Sequence, residues 1–278
     1  MSDLAIPEII LNDGNRIPQV GLGVFKVDEK DTERIVAEAL EAGYRHIDTA
    51  SIYHNEKAVG RGIAASGVPR EEIFVTTKLW NADHEDPRGA LEASLKRLGL
   101  DRVDLYLIHW PLPMLGTAVD AWLGLVQLIG EELTDSIGVS NFEIEHLREL
   151  YEKTGVLPAV NQVELHPLHQ RRELVTFCRE MGIVVESWGP LSQGKSDLLR
   201  RPEITNIAVR HRKSPAQVVL RWHVQHGFIV IPKTERKKRL TENADLFDFV
   251  LTDAQMAEID ALDEQHNFGP DPRTFDVL

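Results

Sequence analysis

The sequence predicts an α/β fold, a (β/α)8 barrel of the TIM type, as a single domain over residues 1–278. Eight short β-branched runs recur along the chain, and each is followed by a segment with helix signals. Strands that alternate strictly with helices pair in parallel through right-handed crossovers. Eight such units favour closure into a barrel over an open sheet.

The predicted strands are these eight runs. IFVTTK, VDLYLI and IVVESW are almost continuously apolar, which is typical of parallel strands buried on both faces. The eight runs cover residues 19–25, 44–48, 73–78, 103–109, 136–140, 159–164, 183–188 and 228–232.

Helix start and stop signals separate the runs. Asp86-Pro87 and Ser214-Pro215 each place an N-cap residue before a proline at the first helical position. Glycines that suit left-handed C-caps follow the predicted helices at Gly43, Gly99, Gly155, Gly182 and Gly227.

Two segments lie outside the eight units. Residues 9–11, a turn at 12–15 and Ile17 predict an N-terminal β-hairpin that plugs the barrel floor. The tail after Asp263 is short and rich in proline and glycine, and no element in it is expected to close a pocket. The tail is compatible with an open mouth, and its contribution to the pocket is left open by the sequence.

The composition is that of an ordinary soluble globular protein. The chain carries 31 Lys and Arg against 44 Asp and Glu, a formal net charge of −13, with 42% hydrophobic residues. The acidic balance argues against nucleic acid or an anionic membrane as the main partner and favours a monomer, but it says little about small-molecule chemistry. Cys178 is the one cysteine, which excludes an internal disulfide. With no signal peptide or membrane-length apolar run in view, we expect a cytoplasmic protein.

Polar or amphipathic side chains follow the predicted strands, at the carboxyl end of the barrel. In (β/α)8-barrel enzymes the active site lies at this end. All but Tyr53 have a structural alternative: a helix cap for Asp48 or Asn141, a core position for His109 or Trp188, a solvated group for Lys78 or Lys233, and an interior hydrogen-bonding group for Gln162. Their joint occurrence at one rim favours an active site. The set is Asp48, Tyr53, Lys78, His109, Asn141, Gln162, Trp188 and Lys233.

The motifs around these residues resemble the aldo-keto reductase family, over nearly the whole chain. GYRHIDTASIYHNEKAVG (43–60) is the most specific, and TTKLW, LYLIHWP, SIGVSNF, PAVNQVELHP and IPKTE follow in the order and spacing of the family. GLGVFKV (21–27) and VESWGPLSQGK (185–195) most resemble bacterial 2,5-diketo-D-gluconate reductases. The resemblance implies NADPH-dependent reduction of aldehydes and ketones, with keto-sugar acids and small dicarbonyls such as methylglyoxal as open substrates.

The resemblance also implies a catalytic tetrad of Tyr53, Lys78, Asp48 and His109. Tyr53 is the expected general acid, and the Lys78 ammonium is expected to lower the pKa of its phenol. Asp48 is expected to keep Lys78 charged by ion pairing. His109 is expected to hydrogen-bond the substrate carbonyl oxygen and orient it.

No G-x-G-x-x-G fingerprint follows a strand, so a Rossmann site is not predicted. The resemblance implies instead that a nicotinamide cofactor lies across the barrel mouth. Trp188 would stack on the nicotinamide, Ser140, Asn141 and Gln162 would bind its carboxamide, and a loop that contains Leu191 and Gln193 would cover the pyrophosphate. Lys233, Thr234 and Arg239 match the pocket for the adenosine 2′-phosphate, and Glu242 and Asn243 match the adenine contacts, which favours NADPH over NADH.

Phe25, Trp80 and Trp110 flank mouth residues and are expected to line the substrate pocket together with His109, with a core role as the alternative. The histidine pairs 166/169 and 223/226 lack further ligands nearby, so no metal site is expected. An alternative function is a nicotinamide-binding regulatory or redox-sensing subunit with vestigial turnover. The intact tetrad argues against it.

Overall fold

Eight parallel strands form the centre of the fold in the computed structural model, which describes residues 6–278. They follow a two-stranded antiparallel hairpin of β1 (Glu8–Ile10) and β2 (Arg16–Pro18). The parallel strands are β3 (Leu22–Gly23), β4 (His46–Asp48), β5 (Phe74–Leu79), β6 (Val103–Ile108), β7 (Thr134–Ser140), β8 (Val160–Glu164), β9 (Val184–Trp188) and β10 (Ile229–Val230).

The sheet curls until its last strand meets its first. Neighbours in the sheet follow chain order from β3 to β10, all in parallel. A parallel bridge between Val20 and Val230, with the Gly21 amide donating to the Val230 carbonyl at 2.8 Å, joins β10 to the residues before β3. The predicted barrel is confirmed. Its first and last strands are shorter than predicted, because a single bridge pairs them across the seam within residues 6–278.

Helices surround the strands and follow the predicted signals. Asp86 caps α3 by accepting from the Gly89 amide, and Ser214 caps α8 in a capping box with Gln217. Gly99 has a φ of 68° and ends α3 in the left-handed conformation predicted for it. The helices are α1 (Glu29–Glu41), α2 (Glu56–Ser66), α3 (Pro87–Leu98), α4 (Ala118–Gly130), α5 (Ile144–Thr154), α6 (Arg172–Glu180), α7 (Pro202–His211), α8 (Pro215–Gln225), α9 (Lys237–Ala244) and α10 (Asp253–Asp260).

No helix within residues 6–278 is long and apolar enough to cross a membrane.

The hairpin closes the barrel floor, as predicted. Leu11 and Ile17 are buried in one apolar cluster with barrel residues that include Leu105, Val160 and Ile229. Side chains alternate along each strand, so this inner layer is distinct from the larger core between strands and helices. The polar residues of the barrel interior lie beyond this apolar layer, towards the mouth.

Candidate active site

Lys78 extends from β5 into the barrel and lies at the centre of the site. Its Nζ atom donates to both carboxylate oxygens of Asp48, at 2.7 and 2.8 Å, and to the Thr49 carbonyl oxygen at 2.8 Å. Burial of the whole side chain opposes its charge, but Asp48 and Tyr53 outweigh burial, and the pKa of Lys78 is raised. The predicted pairing is therefore present, and the alternative of Asp48 as a helix cap is wrong because the caps are Ala50 and Asn55.

Tyr53 ends a short 3-10 turn after β4, and its hydroxyl lies 3.5 Å from Lys78 Nζ. Asn55 holds this loop, since its amide donates to the Val24 carbonyl at 3.0 Å and accepts from the Thr49 hydroxyl at 3.1 Å. The tyrosine hydroxyl and the ammonium are thus within bonding reach.

Burial raises the pKa of Tyr53 to about 12, and the neighbouring Lys78 ammonium opposes this rise without cancelling it. The expected lowering by Lys78 is present as one contribution, but burial is the larger effect and the net pKa is raised. The phenol is protonated at neutral pH. This is the form that a proton donor requires.

His109 follows β6 and faces Tyr53, with the two ring centroids 5.8 Å apart. Burial, and then the charge of Lys78, lower the pKa of His109 well below its usual value, so the imidazole is neutral. Its Nδ1 atom is buried and has no hydrogen-bond partner within residues 6–278. A neutral ring at this position is suited to hydrogen-bond a substrate oxygen.

Aromatic side chains surround Tyr53 and His109. The Phe25 ring lies 4.9 Å from that of Tyr53, and the Trp80 ring 5.3 Å from that of His109. Trp110 lies beside His109, at 6.5 Å between ring centroids. The structure therefore brings the three predicted pocket aromatics to the same opening.

The C-terminal tail crosses this opening, so the expectation that no element of it closes a pocket is wrong. Phe275 packs on Trp110 with ring centroids 4.2 Å apart, and the Val277 carbonyl accepts from the Asn81 side chain at 2.6 Å. The tail thus spans towards the loop that follows β5. Its aromatic residue at position 275 was the sequence signal for a pocket wall.

Glu164, at the end of β8, holds the first part of the tail that crosses the barrel opening. Its carboxylate accepts from the backbone amides of Phe268 and Gly269, both at 2.8 Å. Further along, Arg273 donates to Glu145 at 2.9 Å. A buried carboxylate and an ion pair therefore hold the tail over the barrel.

The three predicted carboxamide contacts lie together beside Trp188. The Asn141 amide donates to the His109 carbonyl at 3.0 Å and to Ser140 Oγ at 3.1 Å, and Asn141 Oδ1 accepts from the Trp188 indole at 2.8 Å. Ser140 Oγ donates to the Gln162 carbonyl at 2.9 Å. The alternative of Asn141 as a helix cap is wrong, because the N-cap of α5 lies two residues further on.

The loop after Trp188 and the start of α9 carry the remaining predicted cofactor residues. Ser192 and Gln193 both have left-handed φ angles, and Leu191 is partly buried beside them. Lys233 is exposed and pairs with Glu235, Thr234 Oγ1 accepts from the Arg236 amide at 3.2 Å, and Arg239 is exposed on α9. Glu242 and Asn243 lie on the last turns of the same helix.

Two residues near the tetrad were not expected from sequence. Thr49 supplies the third acceptor for the Lys78 ammonium. Glu186 is fully buried inside the barrel and shares the Gln162 amide with Asp48. The signal for Glu186 was a lone acidic residue in an otherwise apolar strand.

The histidine pairs have structural roles. His166 contacts Glu164 at 3.2 Å, and both ring nitrogens of His223 face backbone carbonyls. In the part of the chain that the structure describes, no group of three or more His, Cys, Asp or Glu side chains is placed to hold a metal ion.

Comparison with known proteins agrees with this geometry. The model of the aldo/keto reductase family matches residues 19–264. The chain belongs to this family, which confirms the resemblance and the predicted enzyme class. It is 54% identical to an aldo-keto reductase of Mycolicibacterium smegmatis, over 97% of this chain and 98% of the relative. It is 47% identical to methylglyoxal reductase DkgA of Escherichia coli, over 98% of this chain and 99% of the relative.

Solved structures resemble the fold equally well. A crystal structure of a Gox0644 mutant in complex with NADPH has a TM-score of 0.93 and 45% identity, covering 98% of this chain and 99% of that chain. A Bombyx mori aldo-keto reductase in complex with NADP has a TM-score of 0.88 and 40% identity, covering 94% of each chain.

Proposed function

We propose that this protein reduces aldehydes and ketones to alcohols with NADPH, and that Tyr53 is the general acid. The observation that carries the proposal is the convergence of four groups from distant parts of the chain. The Tyr53 hydroxyl lies 3.5 Å from the Lys78 ammonium, which Asp48 holds with two bonds, and the His109 ring faces Tyr53.

Each member of the tetrad has a separate role in this proposal. Protonated Tyr53 donates its proton to the oxygen of the substrate as negative charge develops there. Lys78 lies behind the phenol and stabilises the phenolate that remains. Neutral His109 donates a hydrogen bond to the same oxygen and fixes the orientation of the carbonyl group.

The residues of the mouth fit a nicotinamide cofactor, which supplies the hydride for the carbonyl carbon when it is bound. The Gln162 amide nitrogen is engaged with two carboxyl groups, which leaves its oxygen as an acceptor, and Asn141 Oδ1 has a second lone pair. These oxygens suit a carboxamide NH2 group, and rotation of the Ser140 hydroxyl gives a donor for the carboxamide oxygen. The Ser192 hydroxyl, buried without a partner within residues 6–278, is a further polar group at the proposed pyrophosphate loop.

For substrates we propose small dicarbonyls and keto-sugar acids. The similarity to methylglyoxal reductase DkgA supports the dicarbonyl class. The aromatic wall of Phe25, Trp80 and Trp110 gives flat apolar surfaces around polar groups, which is the usual construction of a small-molecule site.

The test is turnover over a panel of dicarbonyls and keto acids with NADPH, for wild type beside Tyr53→Phe. Loss of the hydroxyl should lower kcat by about 10² or more, because general acid catalysis contributes this much. The affinity for NADPH, measured by quenching of tryptophan fluorescence, should stay nearly constant.

Tyr151→Phe is the matched control, since Tyr151 is exposed on α5 and its loss should leave kcat unchanged. Equal turnover of wild type and Tyr53→Phe would contradict the proposed mechanism. A wild-type protein that binds NADPH but reduces no member of the panel would favour the regulatory alternative.

We propose further that the protein is a cytoplasmic monomer. The net charge of −13 supports a monomer, because like charges oppose self-association. Cys178 is buried and free, as in proteins of reducing compartments. Light scattering during gel filtration should give the mass of one chain, 31.4 kDa, and twice this mass would contradict the monomer.

A further inference from the structure

Glu186 is a buried acidic residue that the proposed mechanism does not use. It lies in β9, in register with Gln162 of β8 and Ile229 of β10, and its side chain is fully enclosed. The Glu186 carboxyl group therefore lies inside the barrel, beneath the catalytic groups.

Glu186 and the catalytic Asp48 share one donor. The Gln162 Nε2 atom donates to Asp48 Oδ2 at 2.7 Å and to Glu186 Oε2 at 3.1 Å. An amide NH2 group has two hydrogens, so these two bonds use both of them and fix the direction of the amide. Glu186 is thereby connected to Lys78 through Gln162 and Asp48.

The groups that face Glu186 supply one positive charge. Lys78 of β5 is cationic, Asp48 of β4 is anionic, and Tyr53 is a neutral phenol. His46 of β4 has its Nε2 atom 3.7 Å from Glu186 Oε1, but burial lowers the pKa of His46 to about 3, so this ring is neutral.

The remaining neighbours of Glu186 add no further positive charge. Thr76 of β5 contacts His46 and is uncharged, and Ile229 of β10 is apolar. Glu164, the acidic residue of β8, bonds the tail backbone and His166. One ammonium, that of Lys78, thus faces the carboxyl groups of Asp48 and Glu186. Within residues 6–278 no second cation lies beside Glu186 to pair with its ionised form.

The surroundings of Glu186 agree with a protonated carboxyl group. Its Oε1 atom is buried and has no hydrogen-bond partner in the described part of the chain. Burial and the nearby Asp48 carboxylate raise the pKa of Glu186 to about 8. At neutral pH the carboxyl is therefore predominantly neutral.

We infer that Glu186 is a positioning residue for the Asp48–Lys78 pair, acting through the shared amide of Gln162, and that ionisation of its carboxyl group sets the alkaline limit of carbonyl reduction. The inference rests on the proposed function of Tyr53 as proton donor. An ionised Glu186 adds a second negative charge beneath Tyr53 and raises the pKa of the phenol. The phenol then donates its proton less readily, so reduction slows.

The test is the pH dependence of kcat/KM for wild type and Glu186→Gln. An amide of the same shape keeps the acceptor oxygen for Gln162 but cannot ionise. The wild-type kcat/KM should fall around pH 8 to a lower level, because the form with ionised Glu186 still reduces the carbonyl but donates the phenol proton less readily. In Glu186→Gln the plateau of kcat/KM should extend at least one pH unit further towards alkaline pH. If kcat/KM falls at the same pH in both proteins, the inference is overturned.

Glu56→Gln is the matched control. Glu56 is also buried, but it lies outside the barrel, where it accepts from the Arg97 guanidinium and the Thr77 hydroxyl, both at 2.6 Å. Replacement of Glu56 should leave the pH at which kcat/KM falls unchanged from wild type. A shift equal to that of Glu186→Gln would mean that loss of any buried carboxylate moves the profile, and would also overturn the inference.

Infrared difference spectra of the wild-type protein provide a measurement without turnover. The band of a protonated carboxyl should disappear with a midpoint near pH 8, far above the ordinary carboxyl pKa of about 4. Its absence would overturn the inference even if Glu186→Gln did not fold. If the band is present but wild type reduces no carbonyl, the proposed function fails while the protonation of Glu186 stands.

Discussion

At the scale of single residues, Lys78 determines how the proposed site works. Its ammonium makes three short bonds, with Asp48 and the Thr49 carbonyl, in a place where burial alone would remove its charge. The same cation lowers the pKa of His109 and opposes the rise of the pKa of Tyr53. Burial and this one charge together keep the imidazole neutral, and the same charge opposes the rise that burial causes in the pKa of Tyr53.

Arg239 provides the residue-scale prediction. Arg239→Ala should raise the KM for NADPH by about 10- to 100-fold, because a hydrogen bond to a charged group contributes roughly 1.5–3 kcal/mol. The KM for NADH should change little, since NADH has no 2′-phosphate. Lys238→Ala is the control, as Lys238 is an exposed neighbour on α9. Equal effects of Arg239→Ala on both cofactors would contradict the phosphate role.

At the scale of elements, strand ends and loops bring the site together, and the tail closes it. The tail is held at one side by Glu164 and at the other by the Phe275–Trp110 contact. Trp110 directly follows His109 in the chain. The tail therefore forms one wall of the proposed substrate pocket.

Phe275→Ala should raise the KM for dicarbonyl substrates by about two- to tenfold, because aromatic pairs contribute roughly 0.5–1.5 kcal/mol beyond their burial. The affinity for NADPH should not change. Leu278→Ala is the control, since this residue is 65% exposed at the end of the same tail. An unchanged KM in Phe275→Ala would mean that the tail crosses the mouth without contacting substrate.

At the scale of the whole molecule, buried neutral histidines couple stability to pH. Burial lowers the pKa of His46 to about 3 and that of His84 to about 4. In the unfolded chain histidine has a pKa of about 6.5, so between pH 6.5 and 4 the unfolded state binds more protons. This contribution to stability is complete above pH 6.5 and is lost as the pH falls towards 4.

We expect the free energy of unfolding in urea to fall by about 2 kcal/mol for each such histidine between pH 7 and pH 5. His84→Gln should remove the contribution of one histidine from this pH dependence, about 2 kcal/mol between pH 7 and pH 5. His266→Gln should not, because His266 is exposed on the tail. The prediction fails if the two variants change the dependence equally.

The sequence by itself determined the barrel and the hairpin at its floor, and it placed polar residues at the strand ends from which the tetrad is proposed. These features depend on local patterns: apolar runs, caps such as Asp86, and polar residues at strand ends. Only the tertiary structure decided the pKa of Tyr53, the sharing of Gln162 between Asp48 and Glu186, and the closure of the mouth by Phe275. Burial and contacts between residues far apart in the chain set all three. Neither leaves a periodic pattern or a fixed residue spacing in the sequence, so neither can be predicted from it.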